Sequence, residues 1–259
     1  MVALAIGNDE IAEAMRVSRQ TIVNTLSLEI YPRVELEDSA LRVRLANMFY
    51  AVDSLFDTAL KPASYPGTLY VLSGPTGAGK STLARAVANT MPDLSRIPLV
   101  TTRQIKAEEF EGDDYYFLSV DRFHRMHGSG QLLESRIFDG HYYVTPSKPV
   151  LEQLKSGRDV LLAGIPWIGI EQILEKVKKV VSIHIQVPRL FIETRLKMRG
   201  RENGEELANR IRLAAEHPDE KHLFDHVVVN ITFDKAVAEI LAQIEARRKL
   251  NPLALAASA

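Results

Sequence analysis

Largely apolar runs mark the second half of this chain at Val160–Ala163, Val180–Gln186 and His226–Asn230, and a fourth stands earlier at Thr68–Ser73. A strand wet on one face alternates apolar with polar; a continuous run suits a strand buried on both faces, as in a parallel sheet covered by helices. Each of the three later runs is followed by a helical segment, and Thr68–Ser73 leads into a helical pattern over Thr82–Thr90. The pattern predicts an α/β fold with a doubly wound, mainly parallel sheet.

Upstream the period changes. Leu41, Leu45, Met48, Val52 and Leu55 recur at helical spacing behind a cap at Asp38 or Ser39, and Asp9–Leu28 carries a second helical pattern. Residues 1–65 therefore read as a small all-α segment. The stretch Pro62–Gly67 holds two prolines and a glycine, which cannot continue a helix, and places the boundary. The α/β domain is expected over residues 66–248, followed by a loose, small-residue tail at 249–259.

Composition narrows the classes of function. With 259 residues the chain has room for one α/β domain and a small appendage, and a formal net charge of −1 describes no basic polymer binder. Zero cysteines exclude disulfides, thiolate metal sites and cysteine nucleophiles, and fit a reducing cytosol. Met1–Gly7 lacks the basic start and cleavage pattern of a leader, and no stretch reaches the ~18 apolar residues needed to span a bilayer. A soluble, unexported, cytoplasmic protein is expected.

The candidate chemistry sits at the first strand-to-helix junction. Residues 74–81 read Gly-Pro-Thr-Gly-Ala-Gly-Lys-Ser, a complete phosphate-binding loop of P-loop NTPases. Its glycines let backbone N–H groups close around an anion, Lys80 would reach the β- and γ-phosphates, and the Ser81 hydroxyl would ligate Mg²⁺. The following helix directs its positive end at the same charge. Gly74, Thr76, Gly77, Ala78, Gly79, Lys80, Ser81 and Thr82 are thus candidates for holding ATP.

Beyond the loop, Thr101-Thr102-Arg103 followed by residues 111–117 (Glu-Gly-Asp-Asp-Tyr-Tyr-Phe) resembles the acceptor-binding region of guanylate kinases. Leu132-Leu133-Glu134, Gly140-His141-Tyr142-Tyr143, Arg195 to Gly200, Arg210 and Phe224 to Asn230 continue the likeness in order, over about residues 66–248. The resemblance implies that fold, with acceptor and lid subdomains. It also implies that Arg103, Tyr115 and Tyr143 hold the acceptor's phosphate, a role suited to a guanidinium fork and phenolic donors. Glu134 would read guanine by accepting from its ring and exocyclic N–H groups. Arg195, Arg199 and Arg210 resemble the lid and core arginines that stabilise the transferring phosphoryl, and Asn230 matches a position near the adenine. Taken singly, such arginines suit solvated helix faces, such tyrosines strand packing, and Asp113 and Asp114 a turn cap. Together, behind an intact loop, they read as a kinase site.

Four departures concern the acceptor. Leu99 stands where the family has a serine that helps read guanine, and Lys106 replaces a second phosphate-binding arginine, keeping charge without the planar fork. Thr145 keeps the hydroxyl after the Gly140–Tyr143 strand, but Val144 replaces a glycine. The family's Asp-x-Asp before the Gly169 turn is absent, and the chain reads Ala163-Gly164-Ile165-Pro166-Trp167. The expected activity is an ATP-dependent phosphotransfer to a nucleoside monophosphate, with base specificity open to change. One alternative is a sugar-phosphate kinase, since Arg199 to Asn203 is similar to ribose bisphosphate phosphokinases. The others are a phosphopeptide-binding module of the scaffold type and a non-catalytic, nucleotide-sensing DNA-binding regulator.

Residues 11–22 also resemble a helix-turn-helix of bacterial repressors, with Arg19, Gln20 and Asn24 as candidate DNA contacts. Arg16 replaces the turn glycine, and residues 1–65 carry six basic against nine acidic groups, a poor balance for binding a polyanion. A small helical bundle that packs on the kinase domain or pairs two subunits through the Leu41–Leu55 stripe stands beside the DNA-binding reading.

Overall fold

The computed structural model describes residues 63–106, 109–127, 131–199, 204–215 and 220–250. The helix-turn-helix, dimer-stripe and tail expectations lie outside these residues.

Strand β1 (Leu69–Ser73) sits at the centre of a five-stranded sheet. It pairs in parallel with β7 (Asp159–Ala163) and β8 (Val180–Gln186); β2 (Leu94–Arg96) extends the sheet beyond β7, and β9 (His226–Val229) beyond β8. All five residues of β1 are buried, as its continuous apolar run requires. Tyr70 and Leu72 face one core with Leu83 and Val87 of α1 (Lys80–Thr90) and Ile240 and Ile244 of α7 (Phe233–Lys249). Leu69 and Val71 face the other, with Leu154 of α3 (Ser147–Lys155) and Ile170 and Ile173 of α4 (Trp167–Leu174). Helices on both faces are what the doubly wound reading predicted.

The second sheet has the order β4-β3-β6-β5, formed by β3 (Leu99–Thr101), β4 (Tyr115–Phe117), β5 (Leu132–Phe138) and β6 (His141–Pro146). Here β3 and β4 run parallel while β6 is antiparallel to both β3 and β5. Helix α2 (Val120–His127) covers it through Phe123, whose ring stacks on Tyr142 at 4.0 Å between centroids. The outer edge of β5 is satisfied by side chains. Ser135 N–H donates to Gln172 Oε1 at 3.0 Å, the Gln172 amide donates back to the Ser135 carbonyl at 3.2 Å, and Lys176 Nζ donates to the carbonyls of Leu132 and Leu133. The opposite edge is clamped to the first sheet's layer. Asp113 accepts from Arg96 and Arg85, and Asp114 from Arg85, so this pair does more than cap a turn.

An α-hairpin, α5 (Arg189–Arg199) and α6 (Gly204–Ala215), lies after β8. Ala63 already bridges to Val177, so chain pairing begins within the Pro62–Gly67 stretch. At Gly67 the backbone passes so close to its neighbour that a Cβ would meet the Arg158 carbonyl oxygen at 2.1 Å. Both groups are backbone and cannot rotate away. Gly67→Ala is expected to cost about 1–3 kcal/mol, the range for forced overpacking, read as a lowered midpoint in urea unfolding.

Candidate active site

Ligands of open α/β sheets bind beyond the carboxyl ends of the strands, and the loop of residues 74–79 leaves β1 at that end. Gly74, Gly77 and Gly79 have φ of 123°, 78° and 88°, left-handed conformations that a side chain would resist. Space is also closed to side chains there: a Cβ on Gly79 would lie 2.8 Å from Asn230 Nδ2, and one on Gly77 3.0 Å from Ile192 Cγ2. Lys80 opens α1 and folds back over the loop, its ammonium 2.7 Å from the carbonyl oxygens of both Gly74 and Pro75. Ser81 and Thr82 are exposed in the same first turn, and the buried Ala78 donates its N–H to the Pro75 carbonyl.

One predicted arginine of the hairpin reaches this loop, and a second reaches Asn230, which itself bonds to the loop. Arg210 of α6 donates to the Thr76 hydroxyl at 3.3 Å, and Arg195 of α5 donates to the Asn230 carbonyl at 2.8 Å. Arg195 Nη1 is buried without a hydrogen-bond partner, as is Asn230 Oδ1, while Asn230 Nδ2 donates to the Ala78 carbonyl at 2.8 Å. A buried guanidinium nitrogen without an acceptor, beside a cradle of left-handed glycines and a lysine, suits an anionic ligand such as a triphosphate. Asn230 thus braces the loop and the hairpin, a contact the sequence did not reveal. Arg199 ends α5, and its side chain lies outside the described residues.

On the second sheet the structure brings Arg103, Tyr115 and Tyr143 together. The Arg103 guanidinium lies 5.0 Å from the Tyr115 ring centroid, and its Nε donates to the Tyr143 hydroxyl at 3.2 Å. The fork itself grips Glu109, with Nη1 and Nη2 each 2.7 Å from a carboxylate oxygen. Both residues are buried, at 8 % exposure each. Burial works against the guanidinium's charge, but the Glu109 hydrogen bonds outweigh it and raise its pKa, so Arg103 stays a fixed cation. Burial, reinforced by the neighbouring Tyr143, raises the pKa of Tyr115, which therefore keeps its proton as a donor. Lys106, at the head of this turn, donates its backbone N–H to Glu109 at 3.1 Å.

Glu134 is 1 % exposed. The register pairs it with Thr145 and pairs Arg136 with Tyr143. Accordingly Thr145 donates to Glu134 Oε1 at 2.7 Å, while Arg136 Nη1 lies 2.8 Å from both carboxylate oxygens. Arg136 Nη2 continues to the Gly164 carbonyl at 2.7 Å, in the segment that replaces the Asp-x-Asp. Sequence reading missed Glu109 and Arg136. Arg136 carried a usable signal, since two residues apart on a strand means the same face as Glu134; Glu109 stood unmarked in an acidic stretch.

Comparison with known proteins agrees with this fold. The guanylate kinase family model matches residues 66–247. A guanylate kinase of Pasteurella multocida is 40% identical over 186 residues, spanning 70% of this chain and 89% of that protein. One from Paraburkholderia xenovorans is 36% identical over 187 residues, spanning 71% and 82%. The crystal structure of guanylate kinase from Anaplasma phagocytophilum superposes with a TM-score of 0.56 at 28% identity, covering 70% of this chain and 86% of that one. These relatives leave the sugar-phosphate, scaffold and sensor alternatives without support. Among the described residues no helix is long and apolar enough to cross a membrane. The chain belongs to the guanylate kinase family and is a P-loop nucleoside monophosphate kinase.

Proposed function

We propose that the protein moves the γ-phosphoryl of ATP in line onto a phosphate oxygen of a nucleoside monophosphate, yielding ADP and a nucleoside diphosphate. The observation that carries this reading is one glycine loop with Lys80 folded over it, Arg210 on its Thr76, and Arg195 on Asn230, whose amide donates to the loop's Ala78. The loop N–H groups, Thr76 and Thr82 hold the donor phosphates, and Asn230 lies beside them. Ser81 would hold magnesium, which would supply positive charge against that of the donor's phosphates. Lys80, Arg195, Arg199 and Arg210 supply fixed positive charge as electron density shifts onto the leaving oxygen, and the hairpin excludes water.

Arg103, Tyr115 and Tyr143 receive the acceptor's phosphate, with Lys106 adding charge nearby. Because Glu109 occupies the fork, Arg103 offers a phosphate one remaining Nη2–H, and the Tyr143 and Tyr115 hydroxyls supply the other donors. Glu134 and Thr145 stand at the base end of the site. The test is nucleoside diphosphate formation, followed by chromatography, with Mg·ATP and each of GMP, dGMP, AMP, IMP, UMP and CMP. Turnover with at least one is expected, and ATP consumption indifferent to every monophosphate overturns the reading.

A further inference from the structure

A carboxylate reads guanine by accepting from the ring N1–H and the exocyclic 2-amino group, and for that its oxygens must be available. In this protein both oxygens already accept from other side chains. Glu134 Oε1 accepts from Thr145 and Arg136, Oε2 accepts from Arg136, and the side chain has no exposed surface. The carboxylate is also seated against the backbone at the start of α4. A Cβ on Gly169 would lie 2.9 Å from Glu134 Oε2 and 2.7 Å from Ile165 Cγ2.

Arg136 lies between Tyr143 and the Gly164 carbonyl. Its guanidinium lies 5.5 Å from the Tyr143 ring centroid on the acceptor side. Toward the donor side it holds the Gly164 carbonyl, and a Cβ on Gly164 would be 4.0 Å from Lys80 Cε. Those contacts use Nη1 and one N–H of Nη2, leaving Nε–H and the second Nη2–H as donors. Ala163 and Ile165, which flank Gly164, carry no side-chain acceptor, and Leu99 carries no hydroxyl. Such an environment offers nothing to guanine's 2-amino group and offers donors to carbonyl or ring-nitrogen acceptors of a base.

We propose that Arg136 is the residue that sets acceptor specificity, and that it does so by sequestering Glu134 and presenting N–H donors, so that the site does not select for the 2-amino group of guanine. This rests on the kinase reading above. A site that hydrogen-bonds a substrate group rejects the analogue lacking it by orders of magnitude, whereas this site treats GMP and IMP, which differ only in that group, as near equals.

The experiment is the ratio of kcat/KM for GMP over IMP, measured with one preparation so that the active fraction cancels. In the wild type the ratio is expected within about tenfold of unity, and a preference for GMP above that overturns the proposal. Arg136→Leu frees the Glu134 carboxylate and is expected to raise the ratio by about tenfold or more, whereas the double variant Arg136→Leu with Glu134→Gln returns it to the wild-type value. An unchanged ratio in Arg136→Leu overturns the proposal. Should a variant not fold, the wild-type ratio still decides. Should no monophosphate turn over, the kinase reading fails separately, and the Kd ratio of GMP and IMP by calorimetry, held to the same tenfold limit, decides the specificity of the pocket.

Discussion

Lys80→Ala is expected to lower turnover by at least about a hundredfold while the thermal midpoint hardly moves. This ammonium is anchored 2.7 Å from two loop carbonyls, Gly74 and Pro75, at the first residue of α1. A phosphoryl group in flight carries its charge on oxygens, and a preplaced cation in a water-poor site lowers that barrier by an amount a mobile water cannot match. The fold does not depend on it. The loop's shape comes from three left-handed glycines, and α1 is held by Leu83, Ala84 and Val87 in the core. A coupled ADP assay and a melting curve on the same sample separate the two effects. A rate within twofold of wild type would remove Lys80 from the chemistry.

Glu109→Ala is expected to destabilise the protein by about 3–5 kcal/mol, the cost of leaving a buried charge without its partner. Arg103 has little freedom to escape to water, being buried and stacked against Tyr115 and Phe117. Urea unfolding gives the magnitude, and a change below about 1 kcal/mol would mean that the pair is no stronger than an exposed one. The surviving folded fraction should show a raised KM for the monophosphate with KM for ATP preserved, because the guanidinium loses its aim on the acceptor side only.

Legibility differed between the two halves of the site. The donor half is local: eight consecutive residues define the loop, and the strand and helix around it announce themselves by a buried run and a helical period. Arg195, Arg210 and Asn230 could be named from the family's order, but their convergence depends on the hairpin's placement against the loop. The acceptor half is built from three-residue strands such as β3 and β4, too short for any periodicity to emerge. Its two unforeseen members, Glu109 and Arg136, act through partners that only the turn and the strand register bring near. Arg103 and Glu134 were each assigned a ligand from the sequence, and each has an internal counterion: Glu109, which no spacing of residues announces, and Arg136, whose spacing of two from Glu134 was the one available signal. Helix and strand limits shifted by one or two residues: α1 begins at Lys80 rather than Thr82, and β9 ends at Val229, one residue before Asn230.

The side chains along the outer edge of β5 carry a different kind of consequence. A sheet edge displays a row of unpaired donors and acceptors, an open template on which another chain can crystallise its own strand. Gln172 answers Ser135 with one donor and one acceptor, as a neighbouring strand would, and Lys176 covers two further carbonyls. A foreign strand arriving at this edge finds its bonds already made and a positive charge in its way. Helix α4 and the turn that follows it therefore also act as a guard against fibre-like growth at this edge.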